Sequence, residues 1–146
     1  MERATYDENR NLLPAANESH EGSWFTRLWL ARYPTSATDY PIGPQPKISE
    51  WMNKDGRLTN VRTLKQFLPL GWAGSDRDVD LKNGGEVGKL HGIGAVEVAQ
   101  SWRSALVSYG VKEDEFDHWL QEMKMDILDS RLKSYTAVQY FSAVAK

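Results

Sequence analysis

Residues 111–146 read VKEDEFDHWLQEMKMDILDSRLKSYTAVQYFSAVAK and hold neither Pro nor Gly. How this stretch is read decides the fold. A helix starts near Lys112, with Glu113, Asp114 and Glu115 in a first turn where the helix dipole favours acids. Phe116, Trp119, Leu120, Met123, Ile127 and Leu128 recur at helical spacing, and the pattern continues through Leu132, Tyr135, Val138 and Phe141. One long helix and two helices bent near Asp129-Ser130-Arg131 both fit. The bend is favoured, because the apolar stripe changes face there and an uncapped helix of that length is uncommon in a small domain.

Outward from this stretch the chain also reads as helical. Ala95 to Tyr109 puts Val98, Trp102, Ala105, Leu106 and Tyr109 on one face, and Gly110 follows as a C′ residue suited to the left-handed conformation. Residues 69–94 hold seven glycines, which argues against a long regular helix there. A small β-hairpin around Asn83-Gly84 fits the usual two-residue turn. Thr59 or Asn60 caps a helix to about Leu68, with Val61, Leu64, Phe67 and Leu68 at helical spacing and Pro69 as its stop. Ser49 caps a short helix over 50–54. Residues 34–47 hold Pro34, Pro41, Pro44 and Pro46 and read as an extended connection. Ser23 caps a helix whose Trp24, Phe25, Leu28 and Trp29 form an aromatic face that Pro34 ends. The expected fold is therefore mainly α: a compact bundle of five to six helices with a long Pro-rich connection and a glycine-rich irregular centre. Residues 1–22 form a flexible N-terminal arm, and residues 23–146 form a single helical domain.

The composition bounds the function. The 146 residues are 40% hydrophobic and 26% charged, and 18 Lys+Arg against 20 Asp+Glu leave a formal net charge of −2. That balance argues against a polybasic nucleic-acid coat and against an acidic DNA mimic. The chain contains no Cys, so disulfides and thiolate zinc sites are excluded. No window has 18 consecutive apolar residues, and no apolar run opens the chain, so no membrane contact is expected and a cytoplasmic or other intracellular location is.

Catalytic and metal motifs fail on their spacing. Gly88-Lys89 has Asn83 where a phosphate loop needs its first Gly, and Leu90 where it needs a hydroxyl. The run Asp76-Arg77-Asp78-Val79-Asp80 has Leu81 and Val87 where a calcium loop needs Gly and Glu. Glu115-Phe116-Asp117-His118 has no second copy to complete a di-iron set. No catalytic residue, metal ligand or cofactor is assigned, and the reading leans away from an enzyme.

Two kinds of contact remain. Six tryptophans are many for this length. Trp72, flanked by glycines in Leu70-Gly71-Trp72-Ala73-Gly74, and Trp51, just after the Pro-rich stretch, suit binding anchors, because Trp dominates interface hot spots. With Leu70 they define a protein-binding surface, and the expected function is a non-enzymatic adaptor or inhibitor-type module whose partner is another protein. The alternative partner is nucleic acid. Leu90-His91-Gly92-Ile93-Gly94 resembles the turn of the helix-hairpin-helix DNA-binding motif, although His91 stands where that motif usually has Pro. The resemblance covers about ten residues. It implies that Gly92 and Gly94 let the backbone approach a phosphate, with Lys89 and His91 flanking the turn and Arg103 further along the helix. Arg62 and Lys65 supply a second basic surface.

Overall fold

The computed structural model describes residues 5–18, 21–33, 45–75 and 84–146. Residues 34–44 of the Pro-rich stretch, the acidic run at 76–80 and Asn83 lie outside them; the rest of that stretch, 45–47, opens α2 instead of continuing an extended connection, and the second flank of the expected hairpin, 85–88, is helical. The described chain runs β1 (Thr5–Tyr6), β2 (Leu12–Leu13), α1 (Trp24–Arg32), α2 (Gln45–Lys54), β3 (Leu58–Leu70), α3 (Gly84–Ser101), α4 (Arg103–Ser108), α5 (Glu113–Ile127) and β4 (Ser134–Ala145). The strands form one antiparallel sheet in the order β2-β1-β4-β3. The fold is mixed α and β, which corrects the expected mainly α bundle.

The correction falls on two segments. The stretch 59–68 is not a helix but most of β3, and the chain after Asp129-Ser130-Arg131 does not resume a helix but becomes β4. The two pair from Leu58↔Ala145 to Leu70↔Ser134. Val61, Leu64, Phe67 and Leu68 satisfy helical spacing, yet Thr59, Val61 and Thr63 are β-branched, and β4 is dense in Val, Thr, Tyr and Phe. Such side chains fit a pleated surface once a partner strand is present. Pro69 is compatible with this placement because β3 is the sheet edge, where a missing N–H breaks no interior ladder. One extra residue in β3 makes a bulge between Thr59 and Arg62, and Asn60 in it has φ 52°.

α1, α5 and the end of α4 form as their local signals dictate. The Ser23 Oγ accepts from the Thr26 N–H at 3.2 Å and caps α1. Three acids open α5. After α4, Gly110 takes φ 95°, the Gly110 N–H donates to the Val107 carbonyl and the Val111 N–H to the Leu106 carbonyl, which together make a Schellman cap. These helices share one core, in which Phe25, Leu28, Leu106, Phe116, Met123 and Ile127 are buried, and Leu70 joins it from the end of β3. Val98 and Tyr109, expected on the core face, are exposed.

The glycine-rich region departs furthest from expectation. Residues 84–101 are one 18-residue helix, so Leu90-His91-Gly92-Ile93-Gly94 is helix interior and not a hairpin turn. Two of its glycines, Gly88 and Gly92, are required by packing. A Cβ on Gly88 would collide with the Trp72 carbonyl, and one on Gly92 would lie 2.7 Å from both the Gly71 Cα and the Ile127 Cγ2. Backbone therefore packs on backbone, and the Gly71 N–H donates to the Gly88 carbonyl at 2.9 Å.

The N-terminal residues join the body. Thr5 is buried in β1, opposite Thr136, and its hydroxyl lies 2.8 Å from that of Thr26 in α1. Thr26→Val leaves the Thr5 hydroxyl buried without this partner and costs about 1–2 kcal/mol. The double change Thr5→Val with Thr26→Val costs less than the sum of the singles, a coupling that urea denaturation of the four proteins measures directly.

Candidate binding surface

Alternation along β3 and β4 gives the sheet two different faces. Leu68 and Thr136 pair on one face, and further out the same face carries Gln66 and Val138, then Leu64 and Tyr140, then Arg62 and Ser142. Near the base this face meets the helices: Thr136 is buried and lies 3.4 Å from the His91 ring of α3. Towards the tip it opens. Leu64 is 64% exposed, Tyr140, directly opposite it, is 50% exposed, and Val144 on the same side of β4 is 55% exposed. Phe141 and Ala143, on the other side of β4, are half-buried.

The second face carries an aromatic cluster closed by cations. Tyr135 is fully buried, with Phe67 and Trp72 edge-on to it at 6.2 and 5.1 Å between centroids. Tyr6 is edge-on to Phe67 at 5.1 Å. The Arg10 guanidinium lies 5.0 Å from the Phe67 centroid, and the Lys65 ammonium lies 4.4 Å from that of Tyr6 while donating to the Tyr6 hydroxyl at 2.8 Å. The long basic side chains cover the rings and keep their charges at the surface.

The residues singled out from the sequence sit on different elements. Trp51 is 55% exposed on α2. Trp72 is half-buried, and its indole N–H donates to the Ser134 carbonyl at 2.7 Å, so it plugs the base of the sheet. Leu70 is a core residue. Arg62 and Lys65 project from opposite faces of the sheet. Lys89 is exposed on α3, Gly92 is buried, and Gly94 faces open space. Arg103 donates to Asp117 and to Glu113 on α5. Its guanidinium holds the Asp117 carboxyl below its ordinary range. Arg62 and Lys65, on opposite faces of the sheet, do not share one patch.

A cleft of about 650 Å³ lies between the N-terminal residues and the end of α5, with Leu13, Trp24, Glu122, Asp126 and Arg131 among its walls. Arg131 follows the end of α5 and reaches back to it. Its Nη2 donates to Glu122 Oε2 at 2.8 Å, and its Nε donates to Asp126 Oδ1 at 2.7 Å. The Asp126 side chain is 7% exposed, and its Oδ2 is buried with no hydrogen-bond partner. Burial pushes the Asp126 carboxyl above its ordinary value, against the opposing pull of Arg131. His118 lies outside this pair, 3.0 Å from Glu18 and edge-on to Trp24. Among the described residues no three metal-ligating side chains converge. The pair works as a latch that holds the turn into β4 against α5.

The chain matches no protein-family model, no curated protein and no solved structure. Among the described residues no helix is long and apolar enough to cross a membrane. A helical reading puts Leu64 on a core stripe and leaves Tyr140 and Val144 off the stripe of Tyr135, Val138 and Phe141, so it does not bring them together. Read with period two, residues 138, 140, 142 and 144 give the exposed side of β4 at once.

Proposed function

We propose that the chain is a non-enzymatic binding module that engages another protein through the outer half of the β3–β4 ribbon. The observation that carries this reading is the Leu64–Tyr140 cross-strand pair, an aliphatic and an aromatic side chain held side by side and more than half or fully half exposed. An aromatic–aliphatic pair on a rigid two-strand frame supplies contact area at small entropic cost. Val144, exposed on the same side of β4, extends it. Isolated exposed apolar residues are ordinary on any protein, but neighbours on one face mark a contact surface.

The test is site-specific photo-crosslinking in extracts of the native cells. A benzophenone side chain at Tyr140 is expected to give an adduct of defined mass, and the Leu64→Lys change in the same protein abolishes it. Gln121, exposed on α5, serves as the control position. Equal yields at Tyr140 and Gln121, or no adduct at Tyr140, would exclude the ribbon as the contact surface.

A further inference from the structure

We infer that the ribbon's partner meets it with an acidic segment, whose carboxylate pairs with Arg62 while an apolar side chain beside it packs on Leu64 and Tyr140. This rests on the reading of the ribbon as a contact surface and adds the partner's chemistry. Arg62 stands two residues before Leu64 on the same face of β3, opposite Ser142. It is exposed, and among the described residues it makes no hydrogen bond or ion pair. The basic groups nearby are engaged. Lys65, on the opposite face, donates to the Tyr6 hydroxyl, and Arg57, at the entry to β3, holds both oxygens of Asp55.

The ribbon itself lacks acids. Residues 58–70 and 134–145 contain Arg62 and Lys65 but no Asp or Glu, although the chain carries a net charge of −2. The last acid before β3 is Asp55, which Arg57 neutralises. α2 also packs on β3, yet Arg62, Leu64, Tyr140, Ser142 and Val144 all remain exposed. This face therefore presents an apolar pair beside one unpaired cation.

That arrangement selects the partner's charge. Side chains two apart on a strand stand about 6.6 Å from each other. A partner that covers Leu64 and Tyr140 therefore also strips water from Arg62. A desolvated guanidinium without an anion is costly, and a carboxylate offers two acceptors to its forked donors. An extended segment with an acid two residues from an apolar side chain has the matching spacing. Nucleic acid fits less well. Its binding draws on several cations along the phosphate track, and this face of the two strands offers one.

The test uses the purified full-length chain, with a displayed library of random dodecapeptides as the probe. Selection is expected to enrich peptides with Asp or Glu two residues from a large apolar side chain. By fluorescence anisotropy the best of them binds Leu64→Thr and Arg62→Glu about tenfold more weakly, and Arg62→Gln about threefold more weakly, with circular dichroism spectra unchanged. A second selection, on Arg62→Glu, turns the preference to Lys and Arg. Peptides that depend on Leu64 but show no excess of acids overturn the inference and leave the ribbon standing as a contact surface. So does an acid preference that persists in Arg62→Glu. No enrichment over Leu64→Thr also overturns it, while the Tyr140 photo-adduct, read separately, decides the surface itself. Oligothymidine that binds more tightly than the best peptide, and is lost with Arg62→Glu, overturns it in favour of nucleic acid.

Discussion

Gly88→Ala is expected to destabilise the protein by about 3 kcal/mol, while Gly94→Ala on the same helix stabilises it by roughly 0.5–1 kcal/mol. Both changes replace a helical glycine by the best helix former, so local propensity favours both. The difference lies in what the new methyl meets. At Gly94 there is nothing within 4 Å. At Gly88 the methyl collides with the Trp72 backbone carbonyl, with the Pro69 Cβ a further 3.2 Å contact. A backbone atom cannot rotate away as a side chain can, so α3 must withdraw from the end of β3. That movement strains the hydrogen bond from the Gly71 N–H to the Gly88 carbonyl and disturbs Trp72, whose indole N–H is held by the Ser134 carbonyl. Urea midpoints of the two variants measure the contrast. A Gly88→Ala protein as stable as the parent would mean that α3 does not sit this close to the sheet.

Arg131→Ala is expected to cost about 2 kcal/mol at pH 7 and much less near pH 4. The change removes the cation from Asp126, a carboxylate whose side chain is 7% exposed, and leaves an uncompensated buried charge. Arg131 itself is 40% exposed, and solvent screening of its charge keeps the cost at the lower end of the range for buried pairs. The pH dependence follows from Asp126. Burial already raises its folded-state value above the ordinary carboxylate value, and losing Arg131 raises it further. An acid whose folded value is raised favours the fold below its unfolded value, and that favour is lost as pH rises through the folded value. The deficit of Arg131→Ala therefore grows from pH 4 to pH 7. Adding Asp126→Asn removes the buried charge, recovers part of the stability at pH 7 and flattens the profile. Thermal melts of the single and double variants across that range provide the measurement.

The candidate surface was less legible than the helices, for a geometric reason. Trp51 stood out in the sequence by its place just after the Pro-rich stretch, and it is 55% exposed on α2. Trp72 and Leu70 share a glycine-rich setting that suits an exposed loop, yet the same glycine allows the chain to turn inward at the end of β3. Leu64 and Tyr140 lie 76 residues apart in sequence and become a pair only through strand register. No local pattern announces such a pair. The basic residues illustrate the converse. Arg62 and Lys65 look like one helical face at a spacing of three, but on a strand the same spacing sends them to opposite sides.

The sequence by itself determined α1, α5 and the turn after α4. Their signals are local: a Ser23 cap, acids in the first turn of α5, apolar residues one helical turn apart, and Gly110 where a left-handed residue is required. Tertiary structure decided the rest. Residues 58–70 and 134–145 are strands because each satisfies the other's backbone, an interaction that no single segment encodes. Residues 84–101 are a helix despite their glycines because the lost side chains allow α3 to pack backbone against Gly71 and Trp72. In isolation those glycines would disfavour the helix, at about 1 kcal/mol each relative to Ala. Close packing against the end of the sheet offsets that cost, and it exists only once the distant parts of the chain have met.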